Sequence, residues 1–206
     1  MKRAILFAHL LVPVAVGFAL TAAPAAAQFM GQGYKFLEAV KKKDGDAVEK
    51  ALADGGPTLI NTRDATTGDT ALHIAAGRRD LTWMTFLVYK GSNVDARNDK
   101  GVTPLSQAVG LNFIEGVEFL LGKGARVNDP GADGETPLIA AVHQRNIELV
   151  RILLKAGADP RRADNSGRNA TDYAELIGKD SAITSELATA AKAAAARNSQ
   201  TYGPRF

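Results

Sequence analysis

The 206-residue sequence contains no cysteine and is poor in histidine and aromatic residues. Without cysteine there are no disulfide bonds, thiolate nucleophiles or thiolate metal ligands, so packing must hold the fold together. The histidines are His9, His73 and His143, a small supply for acid–base catalysis. The formal net charge is +3, to which Lys2 and Arg3 contribute at the extreme N-terminus. This composition favours a protein that is not an enzyme and has no nucleic-acid-binding surface.

The N-terminus has the three parts of a secretory signal peptide. Residues 1–3 are basic, residues 4–20 are apolar but interrupted by Pro13 and Gly17, and residues 21–27 are nearly all small. An uncleaved membrane anchor is the alternative, but spanning a bilayer takes about 20 unbroken apolar residues. We predict Sec-type export, cleavage after Ala27, no membrane contact afterwards, and a periplasmic or secreted bacterial protein that begins at Gln28.

A 33-residue interval organises most of the remaining chain. It separates Thr70, Thr103 and Thr136, and one further step reaches Asn169. Other columns keep the same register, namely Gly68, Gly101, Gly134 and Gly167; Ala75, Ala108, Ala141 and Ala174; and Gly91, Gly124 and Gly157. So many columns in step predict an array built from one small unit.

The repeated stretches resemble the ankyrin repeat. They are Thr70-Ala71-Leu72-His73-Ile74-Ala75-Ala76, Thr103-Pro104-Leu105 and Thr136-Pro137-Leu138, and a glycine-led turn follows each of them. The resemblance implies an all-α solenoid of helix-turn-helix units joined by hairpin-like finger loops. It also implies a protein-binding array, without an enzymatic activity or a cofactor.

Local signals predict where the helices begin and end. A threonine N-cap followed by proline, at Thr103-Pro104 and Thr136-Pro137, predicts first helices that start at residues 104 and 137, and the 33-residue register places the equivalent start at residue 71. The second helices carry apolar residues at helical spacing, including Leu120 and Leu153, and these positions predict the core. We interpret Trp83 and Phe86 as core packing as well. A left-handed glycine is expected just beyond each second helix.

The predicted domain boundaries follow from this register. A signal peptide (1–27) and a flexible lead-in (28–33) precede an N-terminal capping repeat (34–69). Three ankyrin repeats follow at 70–102, 103–135 and 136–168. A C-terminal capping repeat with an Ala-rich helix (169–197) and a disordered tail (198–206) complete the chain.

Isolated polar residues do not assemble into a catalytic or metal motif. His73 occupies the family's usual histidine position, which implies a hydrogen bond between neighbouring units. His143 has no second ligand at metal-binding spacing, so a solvated or partner-contacting role is favoured. Residues 129–135 lack the ligand pattern of a calcium loop. Lys41, Lys42 and Lys43 fit a solvated cap surface. We predict no catalytic, cofactor or metal residues.

The candidate partner contacts are positions free to vary in an otherwise regular framework. Framework columns are fixed by packing, so specificity is expected on the concave face and at the finger tips. These positions are Ile74, Arg78, Arg97, Asp99, Lys100, Gln107, Leu111, Asp133, Glu135, Ala140, His143 and Gln144. Whether Ile74 is a contact or is buried between units is left open.

The sequence predicts a monomeric periplasmic scaffold that binds a protein partner. Three alternatives remain at this stage. The first is an accessory or chaperone that stabilises an exported enzyme, for example in oxidative-stress defence. The second is an enzyme with an unusual site, which a pocket with converging carboxylates would favour over an open groove. The third is a secreted effector that acts on a host.

Overall fold

A computed structural model describes residues 25–178 and 181–201, with side chains for 31–178 and 181–193. Within this part of the chain ten α-helices form two rows, and there is no strand. The helices are Ala25–Lys42 (α1), Gly45–Gly55 (α2), Ala71–Gly77 (α3), Leu81–Tyr89 (α4), Pro104–Gly110 (α5), Ile114–Gly122 (α6), Pro137–His143 (α7), Ile147–Lys155 (α8), Ala170–Ile177 (α9) and Ala182–Thr201 (α10). A short 3-10 helix, Pro57–Asn61, follows α2. The first helices α1, α3, α5, α7 and α9 pack side by side, and each second helix packs against the first helix of its own unit.

The predicted starts of the first helices are confirmed. Pro104 and Pro137 occupy the first turn of α5 and α7. The Thr103 hydroxyl accepts a hydrogen bond from the Ser106 backbone N–H at 3.1 Å. Thr136 caps α7 in the same way, over 3.3 Å to the Ile139 N–H. Each cap satisfies one of the N–H groups that a helix start leaves without a partner.

The two helices of a unit end in different ways. Beyond α4 the glycine at 91 has φ 97°, and the Gly91 and Ser92 N–H groups bond back to Val88 and Leu87. This is the predicted left-handed glycine cap. The first helices also end on a left-handed residue, which the sequence did not predict because the residue is not glycine. It is Arg79, Asn112 or Arg145, with φ of 54°, 51° and 53°.

The core is continuous from one unit to the next. Leu120 and Leu153, one repeat apart, are completely buried in the second helices. Ala75, Ala108 and Ala141 are completely buried in the first helices, where their small side chains allow close approach of neighbouring units. Since each unit shares its buried surface with its neighbours, stability depends on the stack rather than on any single unit.

Four finger loops project from the array at residues 64–69, 98–102, 131–135 and 164–168. Each is closed by a backbone hydrogen bond across its base, such as the 3.0 Å bond from Asn98 N–H to the Val102 carbonyl. Neighbouring fingers are joined by main-chain bonds from Asp99 N–H to Thr67 and from Asn165 N–H to Asp133. The equivalent bond between the 98–102 and 131–135 fingers, from Ala132 N–H, is absent among the described residues.

His73 bonds to the 98–102 finger, which leads into the next unit, whereas the family resemblance implied a bond between neighbouring units. It is completely buried, and its Nε2–H donates to the Val102 carbonyl at 2.9 Å. Because a carbonyl can only accept, this bond requires a proton on Nε2. Nδ1 then accepts from the Thr70 backbone N–H at 3.2 Å. Burial lowers the pKa of His73, so the ring is neutral in the folded chain.

The buried histidine predicts a loss of stability in mild acid. A lowered folded-state pKa means that unfolded His73 binds a proton first as the pH falls below about 6.5. Stability from this site is therefore present above that pH and is lost as the pH falls towards the folded-state pKa. Between pH 7.5 and 5.5 we expect wild type to lose about 1 kcal/mol more free energy of unfolding than His73→Gln. Denaturant melts at both pH values measure this, and equal losses would contradict it.

The N-terminal cap begins earlier than the sequence predicted. Residues 28–33, expected to be a flexible lead-in, belong to α1 (Ala25–Lys42). The alanines at the start favour a helix, and Gly33 is buried against Thr62. Lys41 and Lys43 form ion pairs with Glu38, Asp64 and Asp80, as expected of a charged cap surface. Residues 1–24 of the predicted signal peptide lie outside the described residues.

The C-terminal cap ends later than predicted. α10 continues to Thr201, so residues 198–201 are helical rather than part of a disordered tail. Its alanine-rich sequence propagates the helix beyond the last packed residues, because adding a residue to an existing helix costs little. Ile183 and Leu187 anchor α10 to the core. Residues 202–206 lie outside the described residues.

Candidate protein-binding groove

A groove of about 490 Å³ lies between the second and third units. Helices α5 and α7 form one side, and the 98–102 and 131–135 fingers form the other. Its lining residues are Lys100, Val102, Ser106, Gly110, Gly131, Ala132, Asp133, Glu135, Thr136, Pro137, Ala140, His143 and Gln144. This is the surface on which the sequence predicted partner contacts, made by first helices and finger tips.

Small residues create the hollow. Ala140 is equivalent by the 33-residue register to Ile74, Gln107 and Tyr173, which are all larger. Gly110 stands where the next unit has His143, and Gly131 stands where the neighbouring fingers have Asn98 and Asp164. The groove therefore occurs where side chains present elsewhere in the array are missing.

His143 joins the groove to the C-terminal cap. Its Nδ1 lies 2.8 Å from a carboxylate oxygen of Glu135. Its ring packs edge-on against Tyr173 of α9, with ring centroids 4.3 Å apart. The Tyr173 hydroxyl donates to Asp164 at 2.6 Å, and this bond lowers the pKa of the Asp164 carboxyl. One wall of the groove is thus braced by a chain of contacts that reaches the last finger.

The finger side of the groove carries opposite charges that are not neutralised. The described residues offer no ion-pair partner to Lys100 or Asp133, although the two lie on neighbouring fingers. Within the described part of the chain, the Asp133 carboxylate accepts only the Glu135 backbone N–H at 3.0 Å. By contrast, other finger charges are paired within the array, as in Arg63 with Asp99 and Arg97 with Asp129.

Six predicted contacts line this groove, and six lie elsewhere. Those in the groove are Lys100, Asp133, Glu135, Ala140, His143 and Gln144. Those elsewhere are Ile74, Arg78, Arg97, Asp99, Gln107 and Leu111. Of the second set, Leu111 is 41% exposed and Ile74 is half-buried against the core.

Several predicted contacts also hold the array together. Arg78 donates to the backbone carbonyls of Val40 and Lys41 at 2.8 and 3.1 Å, which joins α3 to the end of α1. Gln144 donates to the Val109 carbonyl at 3.1 Å in the equivalent place. Arg97 donates to the Pro130 carbonyl and so bridges two fingers. These side chains vary along the repeats but have structural partners.

Apart from Ala140, the sequence did not single out the residues that give the groove its shape. Val102, Ser106, Gly110, Gly131, Ala132, Thr136 and Pro137 line it as well. The sequence signal that could have identified them is the size of each residue compared with the equivalent residues one repeat away. A search for variable polar residues passes over positions where a side chain is small or missing.

Two smaller hollows lie away from this groove. One of about 400 Å³, between α1 and α2, is lined partly by alanines. The other, of about 220 Å³, lies beside Trp83 and Phe86. These two rings are half-buried and pack edge-to-face with centroids 5.4 Å apart, consistent with their prediction as packing residues. In the described part of the chain no group of three or more histidine or acidic side chains is arranged to hold a metal ion.

The repeat architecture and its groove define a helical repeat protein with an open binding surface. Two family models match, Ankyrin repeats (3 copies) over residues 36–131 and Ankyrin repeats (many copies) over residues 120–174. Together they span more than half of the chain, which belongs to the ankyrin repeat family. Ankyrin repeats generally mediate protein–protein interactions and typically are not enzymes.

One similar curated protein is diacylglycerol kinase iota of Mus musculus. It is 38% identical over 66 residues, which are 32% of this chain and 6% of the kinase. The match thus covers far less than two thirds of the kinase. It carries no argument about catalysis.

Proposed function

We propose that this chain is exported to the periplasm and acts there as a scaffold that binds a protein partner in the groove between α5 and α7. The observation that carries the proposal is the groove itself, where six residues predicted as contacts meet beside an apolar wall. The general role of ankyrin repeats in protein–protein interactions supports it. The proposed export rests on the signal-peptide pattern of residues 1–27.

The groove is suited to a few side chains of a partner rather than to a deeply enclosed small molecule. Its volume is within the usual range for ligand sites, but fingers and helices leave it open along one side. Additional contacts are available on exposed groups nearby, such as Leu111. No helix in the described part of the chain has the length and apolar character needed to cross a membrane.

Filling the groove should abolish partner binding without unfolding the array. Ala140→Tyr places a ring in the hollow, and the C-terminal cap already carries a tyrosine in the equivalent position, Tyr173. Full-length protein is expressed in a bacterium and recovered from the periplasm with its bound proteins. We expect a mass corresponding to a start at Gln28, and at least a tenfold lower partner recovery for Ala140→Tyr, since about 1.4 kcal/mol already changes affinity tenfold.

The matched control is Lys155→Tyr, which places the same ring on an exposed position of α8, in the second-helix row. Thermal melting of both variants shows whether the fold is intact. Folded Ala140→Tyr with undiminished partner recovery would move the site away from this groove. A full-length, membrane-embedded chain would contradict export as a soluble protein. The identity of the recovered partner distinguishes a scaffold from an accessory protein of an exported enzyme or a host-directed effector.

A further inference from the structure

The charges on the finger side of the groove indicate which polypeptide it binds. Lys100 and Asp133 occupy equivalent positions one repeat apart and project from adjacent fingers. Both are exposed and line the groove, yet they form an ion pair neither with each other nor with another described residue. A partner can therefore neutralise both charges without first breaking an ion pair within the array.

A second carboxylate, that of Glu135, lies close to Asp133. Glu135 lies two residues beyond Asp133, and one of its carboxylate oxygens contacts His143. Asp133 and Glu135 thus place two carboxylates at one end of the groove, whereas Lys100 is the cation at the other end. A basic side chain of the partner is therefore favoured beside Asp133 and Glu135, and an acidic side chain is favoured beside Lys100.

The distance between the two ends of the groove sets the spacing of the charged residues along the bound segment. Packed neighbouring helices such as α5 and α7 lie roughly 8–10 Å apart. Because Lys100 and Asp133 are equivalent positions one repeat apart, we expect a step of similar size between them. An extended chain in the polyproline-II conformation advances about 3.1 Å per residue with three residues per turn, so residues i and i+3 project from one face about 9 Å apart. Side chains that reach both ends of the groove are therefore about three residues apart.

The surface between the ends is narrow and largely apolar. Val102, Pro137 and Ala140 contribute to this wall, beside the small residues Gly110 and Gly131. Large side chains would collide with the wall, whereas alanine, valine or proline could pack against it.

We infer that the groove binds an extended polypeptide segment with an acidic and a basic side chain three residues apart and small apolar residues between them. The acidic group contacts Lys100, and the basic group lies between Asp133 and Glu135. This inference rests on the proposed function and specifies the partner of the same groove.

The test is selection of peptides from a random 12-residue display library on the protein comprising residues 28–206. We expect enrichment of opposite charges at positions i and i+3. For a selected peptide made synthetically, Lys100→Ala and Asp133→Ala should each weaken binding about twofold to fivefold, the range for exposed ion pairs. Fluorescence anisotropy at low and high salt measures the loss, which should shrink as salt screens the charges.

Exchanging the charges at positions 100 and 133 is a more specific test than the single alanine substitutions. Lys100→Glu combined with Asp133→Lys should favour peptides in which the acidic and basic residues have exchanged places. Lys155→Ala and Glu118→Ala are matched controls, because both are exposed charges on second helices of the same two units. They should leave binding unchanged.

The outcomes separate this inference from the proposed function. Peptides that Ala140→Tyr blocks but that lack the charge pair, or bind Lys100→Ala and Asp133→Ala as tightly as wild type, would overturn the inference and leave the groove as a binding site. Peptides that bind Ala140→Tyr normally, or a failure to select any peptide, would contradict both.

Discussion

Leu153→Ala is expected to lower the free energy of unfolding by about 2–5 kcal/mol, and Leu120→Ala by a similar amount. Both leucines are completely buried in the second-helix row. Truncation removes apolar contacts and leaves a cavity that the surrounding helices can fill only in part. Because neighbouring units share their core, the loss should affect the whole array rather than one repeat.

Denaturant unfolding followed by circular dichroism and by fluorescence of Trp83 measures this effect. Coincident transitions would justify a single free energy, which repeat arrays do not always permit. Arg161→Ala and Asp99→Ala are the controls, since both side chains are exposed and their ion pairs, with Asp159 and Arg63, lie at the surface. Each should cost less than about 1 kcal/mol. Equal losses at all four positions would show that the core is assigned incorrectly.

Gly134→Ala should be the next most damaging of these changes, at about 2–4 kcal/mol. Gly134 has φ 81°, a left-handed conformation that costs an L-residue about 1–2 kcal/mol. An added Cβ would also lie 2.6 Å from the Asn165 backbone nitrogen, too close for a normal contact. That nitrogen donates the bond that joins the last two fingers, so relief of the clash would disturb their junction.

Gly167→Ala separates the conformational cost of the left-handed backbone from the cost of the clash with the neighbouring finger. Gly167 occupies the equivalent position in the next finger with φ 80°, but nothing lies within 4 Å of its added Cβ. Its substitution should cost only the conformational part, about 1–2 kcal/mol. Thermal and denaturant melts of the two variants give the difference directly. A loss for Gly167→Ala as large as that for Gly134→Ala would mean that finger contact contributes nothing.

The repeating part of the fold could be predicted from the sequence because its causes are local. Thr103 followed by Pro104, and the glycine at 91, act on the backbone within a few residues of themselves. The register then carries each local feature into the next unit. The extent of the terminal helices was predicted less well, because helix propagation through residues 28–33 and 198–201 depends on neighbouring turns rather than on the repeat.

The groove between α5 and α7 was predictable only in part. Charged positions such as Lys100 and Asp133 were identified by their variation along the repeats, and the structure places them together. Arg78 and Gln144 vary for a different reason, because each donates to a backbone carbonyl of the preceding unit. Every residue type has a backbone carbonyl, so the sequence does not show which carbonyl, more than 30 residues away, accepts such a bond. The hollow at Ala140 was missed because it results from absent side-chain volume.

The missing main-chain bond at Ala132 affects how the array can move. Among the described residues the 98–102 and 131–135 fingers share no backbone hydrogen bond, so they can shift relative to each other without breaking one, whereas the other finger pairs cannot. Arg97 still bridges this junction, but through a side chain that can change rotamer. Local opening is easiest where few backbone bonds must be broken. The groove therefore coincides with a compliant joint, where the width between the fingers can change while the helices behind it remain packed.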